Sequence, residues 1–592
     1  MTDRPALRVL LAATAGAAVV LAGCGGVRTG TSVQQGLSVA ARPRVPVRVV
    51  PLPPQEGASP EQIVRGFLRA GVGVEDDERA VARGYFVRDS LTAWRVDAGL
   101  WVYPDETALK FTAGPDGRLD VSARVVATID RDGRLTQLGQ GTTRRARFHL
   151  RQVGGQWRIA DLPADFGLWL SSSDLQRVYS PFEIGYVAAG AKVLVPDVRW
   201  FPVSSALTTT LARAQLGGVP RYLAGVVGTG VPAATRLDPS AVPVVGGIAA
   251  VSLSGAALTA TAEQRQALAA QFFATLVQVP QVNGIALTAG GTPLDVAGAP
   301  VVTSLEQLGY AAAPATTAAA VVVRREDTLS WQDRSVLLDA DRFQRSTTSP
   351  GVALPKVPIG WTRLAVSREG TDVAAVSGDG AELARWRGGQ SWRISGFATG
   401  LRRPAYDGAG GLWVAGRVGD RPAVFVLPVN DDLRKAMPKR VVADWLAGRT
   451  VITLRVARDD LRAAILSTDA RGQDLRLDVT GIVRDRSGSP QRLTPPMRLG
   501  QVLTTATDLC WVDSTTIAVV GRSSAAESLR PYLVRLDGTA TALAAVPGAR
   551  TVTTSGGERG LLIGSDDGRI SARVGNSWQD LGVASGVVLP GD

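Results

Sequence analysis

Histidine is almost absent from this sequence, and cysteine and lysine are scarce. His149 is the only imidazole in 592 residues, beside two cysteines, Cys24 and Cys510. A multi-histidine zinc site is therefore excluded. His149 lies between Phe148 and Leu150 in an alternating run, which directs it to the polar face of a strand, a surface or cleft position rather than a ligand or triad position. Two cysteines build no disulfide framework, and there is no Cys-x-x-Cys and no Gly-Lys-Ser/Thr phosphate loop. After the first two dozen residues no apolar run approaches bilayer length, so no later span is expected. The only lysines are Lys110, Lys192, Lys356, Lys435 and Lys439; all other basic residues are arginine. With so much Ala, Gly and Val beside them, that pattern reads as coding bias in a GC-rich genome. The formal net charge is +12. Its arginines are scattered, without the dense runs and interleaved aromatics of a nucleic-acid groove, so nucleic acid is not an expected partner. Weak attraction to anionic lipid or to an anionic cell-wall polymer is the better use of the charge.

What is present begins at the N-terminus. Arg4 and Arg8 precede an apolar stretch over residues 9–22, closed by Leu21-Ala22-Gly23-Cys24. A basic start, a short apolar core and small residues before a cut site describe a secretory signal peptide over residues 1–23. Leu-Ala-Gly-Cys resembles the lipobox of bacterial lipoproteins, and that resemblance implies a diacylglycerol on Cys24 as the first residue of the mature chain. If Cys24 carries lipid, Cys510 has no partner; in Asp-Leu-Cys-Trp-Val it is expected to be a buried, inert thiol.

Residues 24–58 turn Pro-rich, with Pro43, Pro46, Pro51, Pro53 and Pro54, and read as a semi-rigid tether rising about 3.1 Å per residue. Ser59-Pro60-Glu61-Gln62 then opens a helix with a capping box and Pro in its first turn. Alternating runs over 119–129 and 146–153 follow, and Gly154-Gly155 turns the second into Gln156-Trp157-Arg158-Ile159. Helix first and hairpin strands after predict an α+β cone over residues 59–165, one sheet wrapped over helices. It resembles nuclear-transport-factor (NTF2)-like domains. Residues 163–200 carry Phe166, Trp169, Tyr179, Phe182, Tyr186 and Trp200, expected to join two domains, with a ligand cage as the lesser reading.

Within residues 166–300, a strand from Val193, a helix over 206–216, a strand over 248–253, a helix over 262–277 and a strand over 282–288 follow one another. Leu268, Phe272 and Leu276 form a stripe on the second helix. This order resembles the GerMN domain, an interaction module of spore-germination and envelope proteins without known catalysis. Residues 301–592 repeat an apolar strand, a polar turn and a small-residue strand, beginning near Leu364, Pro404, Leu454, Cys510 and Val552. A period of about 40–50 residues predicts a β-propeller of five to seven blades, six expected. Residues 318–345 start a further blade that the C-terminal strand closes.

Paired acids at Asp76-Asp77, Asp431-Asp432, Asp459-Asp460 and Asp566-Asp567 fall in turns, loops and helix starts, and no pair is singled out for glycosidase chemistry. Trp386, Trp392, Trp413 and Trp511 sit at strand positions where core packing is expected. No catalytic residue, metal ligand or cofactor is assigned. Lipobox, tether, α+β domain, GerMN-like domain and propeller, in that order, resemble the actinobacterial LpqB lipoprotein family. The resemblance implies a non-enzymatic, lipid-anchored protein on the extracytoplasmic face of the cell membrane. Its implied role is as an accessory of the MtrA–MtrB two-component system, acting through the sensor histidine kinase MtrB on cell-wall metabolism and division. Two alternatives are a lipoprotein that binds wall polymer or a small ligand and, behind it, an envelope hydrolase.

Overall fold

The computed structural model describes residues 50–592 except 93, 140, 297, 299, 316, 317, 346–351, 430 and 431. The expected signal peptide, the expected lipidation site Cys24 and most of the expected tether, like Asp431 of the acid pairs, lie outside the described residues. Where the description begins, the Pro-rich stretch is already seated on the first domain. Tyr85 donates its hydroxyl to the Leu52 carbonyl at 2.8 Å, and the Gly57 N–H donates to Gln156 Oε1 at 2.9 Å.

The first helix, Pro60–Ala70, starts where its cap dictates. Ser59 Oγ accepts from the Gln62 N–H at 3.3 Å, and Gln62 Oε1 accepts from the Ser59 N–H at 2.8 Å. It buries Ile63, Val64, Phe67 and Leu68, and Phe67 packs edge-on against Phe86 and Trp94 at 5.0 Å each. Two four-stranded sheets enclose this core, not the single wrapped sheet expected. One pairs Leu109–Ala113, Arg118–Arg124, Thr143–Val153 and Gln156–Asp161; the other pairs Leu135–Gln137, Ala127–Ile129, Leu100–Tyr103 and Leu168–Ser171. The run over 119–129 changes sheet at its middle: the Val125 N–H donates to Thr142 and the Val126 N–H to Val102. Leu119, Val121, Ala123, Val125, Ala127 and Ile129 are all buried, so the alternation passes through the bend unbroken. A bent strand keeps its period of two, and the pattern could not reveal the break.

The expected linking segment is more ordered than its composition suggests. Leu168–Ser171 belongs to the first domain, the helix Ser172–Val178 follows, and Tyr179–Ala188 pairs antiparallel with Val193–Pro202 in the next. Phe166, Trp169, Tyr179 and Trp200 enter the first domain's core, whereas Phe182 and Tyr186 enter the second's. In the middle domain Ile248–Leu253 and Gly284–Ala289 are parallel neighbours, joined by the helix Ala262–Leu276 as a right-twisted crossover requires. Leu268, Phe272 and Leu276 are fully buried as the stripe predicts, but so are Gln271 and Thr275. Those polar groups are satisfied internally: Gln271 donates to the Gly185 carbonyl at 2.9 Å and Thr275 to Gln215 Oε1 at 2.7 Å.

Among the described residues the C-terminal region forms six antiparallel sheets in succession. In the first blade Ala320–Arg325 pairs with Thr328–Asp333 on one side and with Gly586–Val588 on the other, joining the two ends of the region. The remaining blades span residues 361–395, 405–441, 449–499, 505–542 and 549–583. Closure ties the two ends of the ring together, and the radial arrangement leaves only the outermost strand of each blade with an open edge. Trp413 and Trp511 are buried and Trp386 packs edge-on to Trp361 at 5.8 Å, but Trp392 is 40% exposed, with Arg434 over its ring.

Candidate functional site

The middle domain shares one hydrophobic core with the fourth and fifth blades. Ile184, Leu223 and Phe272 belong to the same buried cluster as Leu477, Val479, Trp511 and Val519. At its margin sits Asp197, wholly buried on the strand Val193–Pro202. Its carboxylate accepts from Arg134 Nη2 at 3.0 and 3.1 Å, from Arg199 Nε at 2.7 Å and from the Tyr222 hydroxyl at 3.0 Å. Arg134 belongs to the first domain, and its other terminal nitrogen donates to Met497 Sδ of the propeller at 3.1 Å. A buried carboxylate requires partners, and Asp197 takes them from its own domain and from the first. Arg199 passes the network on to the Tyr186 hydroxyl at 3.1 Å, which donates to the Gly218 carbonyl at 2.7 Å. Burial pushes the Tyr186 phenol up to about 12 and the Tyr222 phenol well above its usual range, so both remain protonated donors.

Around this junction the domains approach backbone to backbone. Thr494 donates its hydroxyl to the Tyr222 carbonyl at 2.6 Å, and a Cβ on Gly481 would stand 2.8 Å from that same oxygen. The first and middle domains also reach the fifth blade: the Ala540 N–H donates to Gln137 Oε1 of the first at 2.9 Å, and the Trp200 indole, on a middle-domain strand, donates to the Asp537 carbonyl at 2.9 Å. Gly538, at φ 90°, lies so close to the Leu135 carbonyl that a side chain there would collide with it.

A second polar system joins the blades to one another. Arg385, Arg455 and Arg462 are fully buried. Arg385 pairs with Asp372 at 2.6 Å in the second blade, and Tyr406 of the third donates to the same carboxylate. Arg455 of the fourth blade pairs with Asp508 of the fifth at 3.3 Å, and Arg484 of the fourth with Asp407 of the third at 2.7 Å. Arg462 pairs with Asp459 at 2.7 Å and lies over the Trp511 ring. Cys510, fully buried between blades, has its thiol pushed well up by burial. In the fourth blade burial raises the Asp478 carboxyl to about 6, against the opposing pull of Arg449, Arg476 and Arg498.

The residues weighed from the sequence are not brought together. His149 is exposed on its strand. Asp567 and Gly568 close a hairpin turn, with the Asp567 carboxylate accepting from the Arg569 N–H. Asp432 accepts from the Arg434 N–H in its own loop, and Asp460 from the Gly408 N–H of the third blade at 2.6 Å. Among the described residues no group of three or more His, Cys, Asp or Glu could hold a metal ion, and no helix is long and apolar enough to cross a membrane. What the arrangement does chemically is fix the domains and blades to one another; Asp197, Asp372, Asp407, Asp459 and Asp508 are counter-ions of buried or half-buried guanidiniums.

Residues 53–176 match the model of the lipoprotein LpqB N-terminal domain, 184–295 that of a sporulation and spore germination domain, and 337–590 that of the lipoprotein LpqB beta-propeller domain. Lipoprotein LpqB of Cutibacterium acnes is 30% identical over 600 residues, covering 96% of this chain and 97% of its own. Lipoprotein LpqB of Thermobifida fusca is 29% identical over 626 residues, covering 94% and 95%. That of Streptomyces coelicolor is 27% identical over 654 residues, covering 99% and 98%. Among solved structures, a chain of the nidogen/laminin complex is similar over 45% of this chain and 97% of its own, at 11% identity and a TM-score of 0.32. With all three of its domains matched and near-full-length relatives at this identity, the chain belongs to the lipoprotein LpqB family.

Proposed function

We propose that this protein is a lipid-anchored accessory of a sensor histidine kinase, docking from the extracytoplasmic face of the membrane rather than catalysing a reaction. In this reading Cys24 carries the lipid and the Pro-rich tether holds the three domains tens of ångströms from the bilayer. The folded part then meets the extracytoplasmic domain of an MtrB-type kinase, through which it influences cell-wall metabolism and division. The observation that carries the reading is the Asp197 junction. A carboxylate with three donors is buried between domains, so the surface offered to a partner is preorganised and loses little freedom on binding. Membership of the lipoprotein family supports the anchor, and the domain order supports an interaction role.

The test is affinity capture of the full chain from solubilised membranes. The kinase should be recovered with it, and a Cys24→Ala form should keep its fold and lose both the membrane fraction and the kinase. Capture that never yields a kinase, with sedimentation on purified wall intact in a strain lacking it, would place the protein among wall-polymer binders instead.

A further inference from the structure

The three domains do not close fully on one another. Beside Asp197 they leave a cavity of about 550 Å³, a size that holds a small ligand, at the kind of domain boundary where ligand sites occur. Arg134, Arg199, Arg221 and Arg498 line it, together with Asp132 and Gln501. The guanidiniums come from all three domains, and three of them have donors to spare. Arg134 Nη1 donates only to a thioether, a weak acceptor. The Arg221 side chain is exposed and makes no hydrogen bond or ion pair among the described residues. Arg498 uses a single nitrogen, Nη2, on Asp474 and the Leu475 carbonyl.

The acceptors are equally specific. Asp130, also at the cavity, closes its own loop by accepting from the N–H groups of Asp132 and Arg134 at 2.9 Å each. Its neighbour Asp132 makes no such bond and lines the cavity with Arg199. Gln501 donates Nε2 to the Arg498 carbonyl at 3.1 Å, while its Oε1 is buried and has no donor. A buried acceptor without a donor is costly unless something supplies one.

We propose that this cavity binds a phosphorylated polyol or sugar. Its phosphate sits among Arg134, Arg221 and Arg498, and its hydroxyls donate to Asp132 and to Gln501 Oε1. A carboxylate occupies one guanidinium fork, whereas several forks supplied by different domains to one cavity suit a tetrahedral oxyanion. The two acceptors select a ligand with hydroxyls over bare phosphate. Because each domain contributes a guanidinium, the occupied site also tightens the junction. This site does not depend on the kinase reading.

Calorimetric titration of the full chain with glycerol 3-phosphate, inorganic phosphate and glycerol tests it. Glycerol 3-phosphate should saturate one site per chain, inorganic phosphate should bind more weakly, and glycerol should give no signal. Arg221→Ala should weaken glycerol 3-phosphate at least tenfold with an unchanged melting temperature, since that side chain holds nothing in place. Arg421→Ala, on an exposed position of the third blade, should leave it unaltered. Competition by phosphatidylglycerol vesicles would identify a lipid headgroup as the source, and its absence a soluble one. The proposal is overturned by unsaturable binding, by equal loss in Arg421→Ala, by an unaffected Arg221→Ala, or by inorganic phosphate binding as tightly as the polyol.

Discussion

Asp197→Ala should loosen the first domain from the rest of the molecule without unfolding the propeller. The carboxylate has no exposed surface and accepts from two guanidiniums and a phenol. Each hydrogen bond to a charged group is worth about 1.5–3 kcal/mol, but a plain sum overcounts because the freed donors differ in access to water. The Arg199 side chain is 11% exposed and stays stranded, whereas Arg134 at 24% recovers part of its hydration. Breaking a buried pair in this way costs about 3–5 kcal/mol. A chain of several domains has no single unfolding free energy, so hydrogen exchange of backbone amides is the right readout. Protection in the loop 130–134 and the strand Val193–Pro202 should fall by about 10²–10⁴-fold, at about 1.4 kcal/mol per factor of ten. Combined with Arg134→Ala, the double-mutant cycle should show a coupling of about 1–3 kcal/mol. A loss of protection below tenfold, or additive effects of the two substitutions, would refute the junction as the clamp between domains.

Three further outcomes follow from the same geometry. The Asp478 carboxyl is raised to about 6, so its ionisation opposes folding above that pH; the penalty is relieved as pH falls from about 6 to about 4, where the unfolded group also takes its proton. Asp478→Asn should therefore raise hydrogen-exchange protection of the fourth blade's amides at pH 7 and leave it almost unchanged at pH 4. Gly538→Ala should lower the melting temperature more than Gly575→Ala: both have positive φ, but only Gly538 lies against another domain, the space around Gly575 being open. The Cys510 thiol should resist iodoacetamide in the native protein at pH 8 and react fully in denaturant, as counted by mass spectrometry.

The propeller was legible because each blade repeats a local pattern. A strand, a turn and a small-residue strand recur near Leu364, Leu454 and Cys510, and the unmatched strand before them called for a closing partner at the chain's end. The strands Ile248–Leu253 and Gly284–Ala289 were equally visible, flanking a helix with a marked apolar stripe; their parallel pairing is what the structure adds. The junction was not. Asp197 finds Arg134 at 63 positions' separation, and no periodicity marks either residue. The arginines misled for a related reason. Read as scattered surface charge, Arg385, Arg455 and Arg462 prove to be fully buried, each beside an aspartate. Arg455 and Asp508 lie far apart in the chain, and even Arg462 and Asp459, three positions apart, carry no mark of burial in local composition, whereas hydrophobic period and turn chemistry are read locally.

The central claim, that a membrane-tethered body regulates a kinase by contact, is tested most directly by the phosphorylation level of the partner response regulator in living cells. Strains carrying the intact chain, Cys24→Ala or no copy should be compared at equal protein abundance. The account predicts that Cys24→Ala, though folded, matches the deletion strain. A Cys24→Ala strain indistinguishable from the intact one would contradict it.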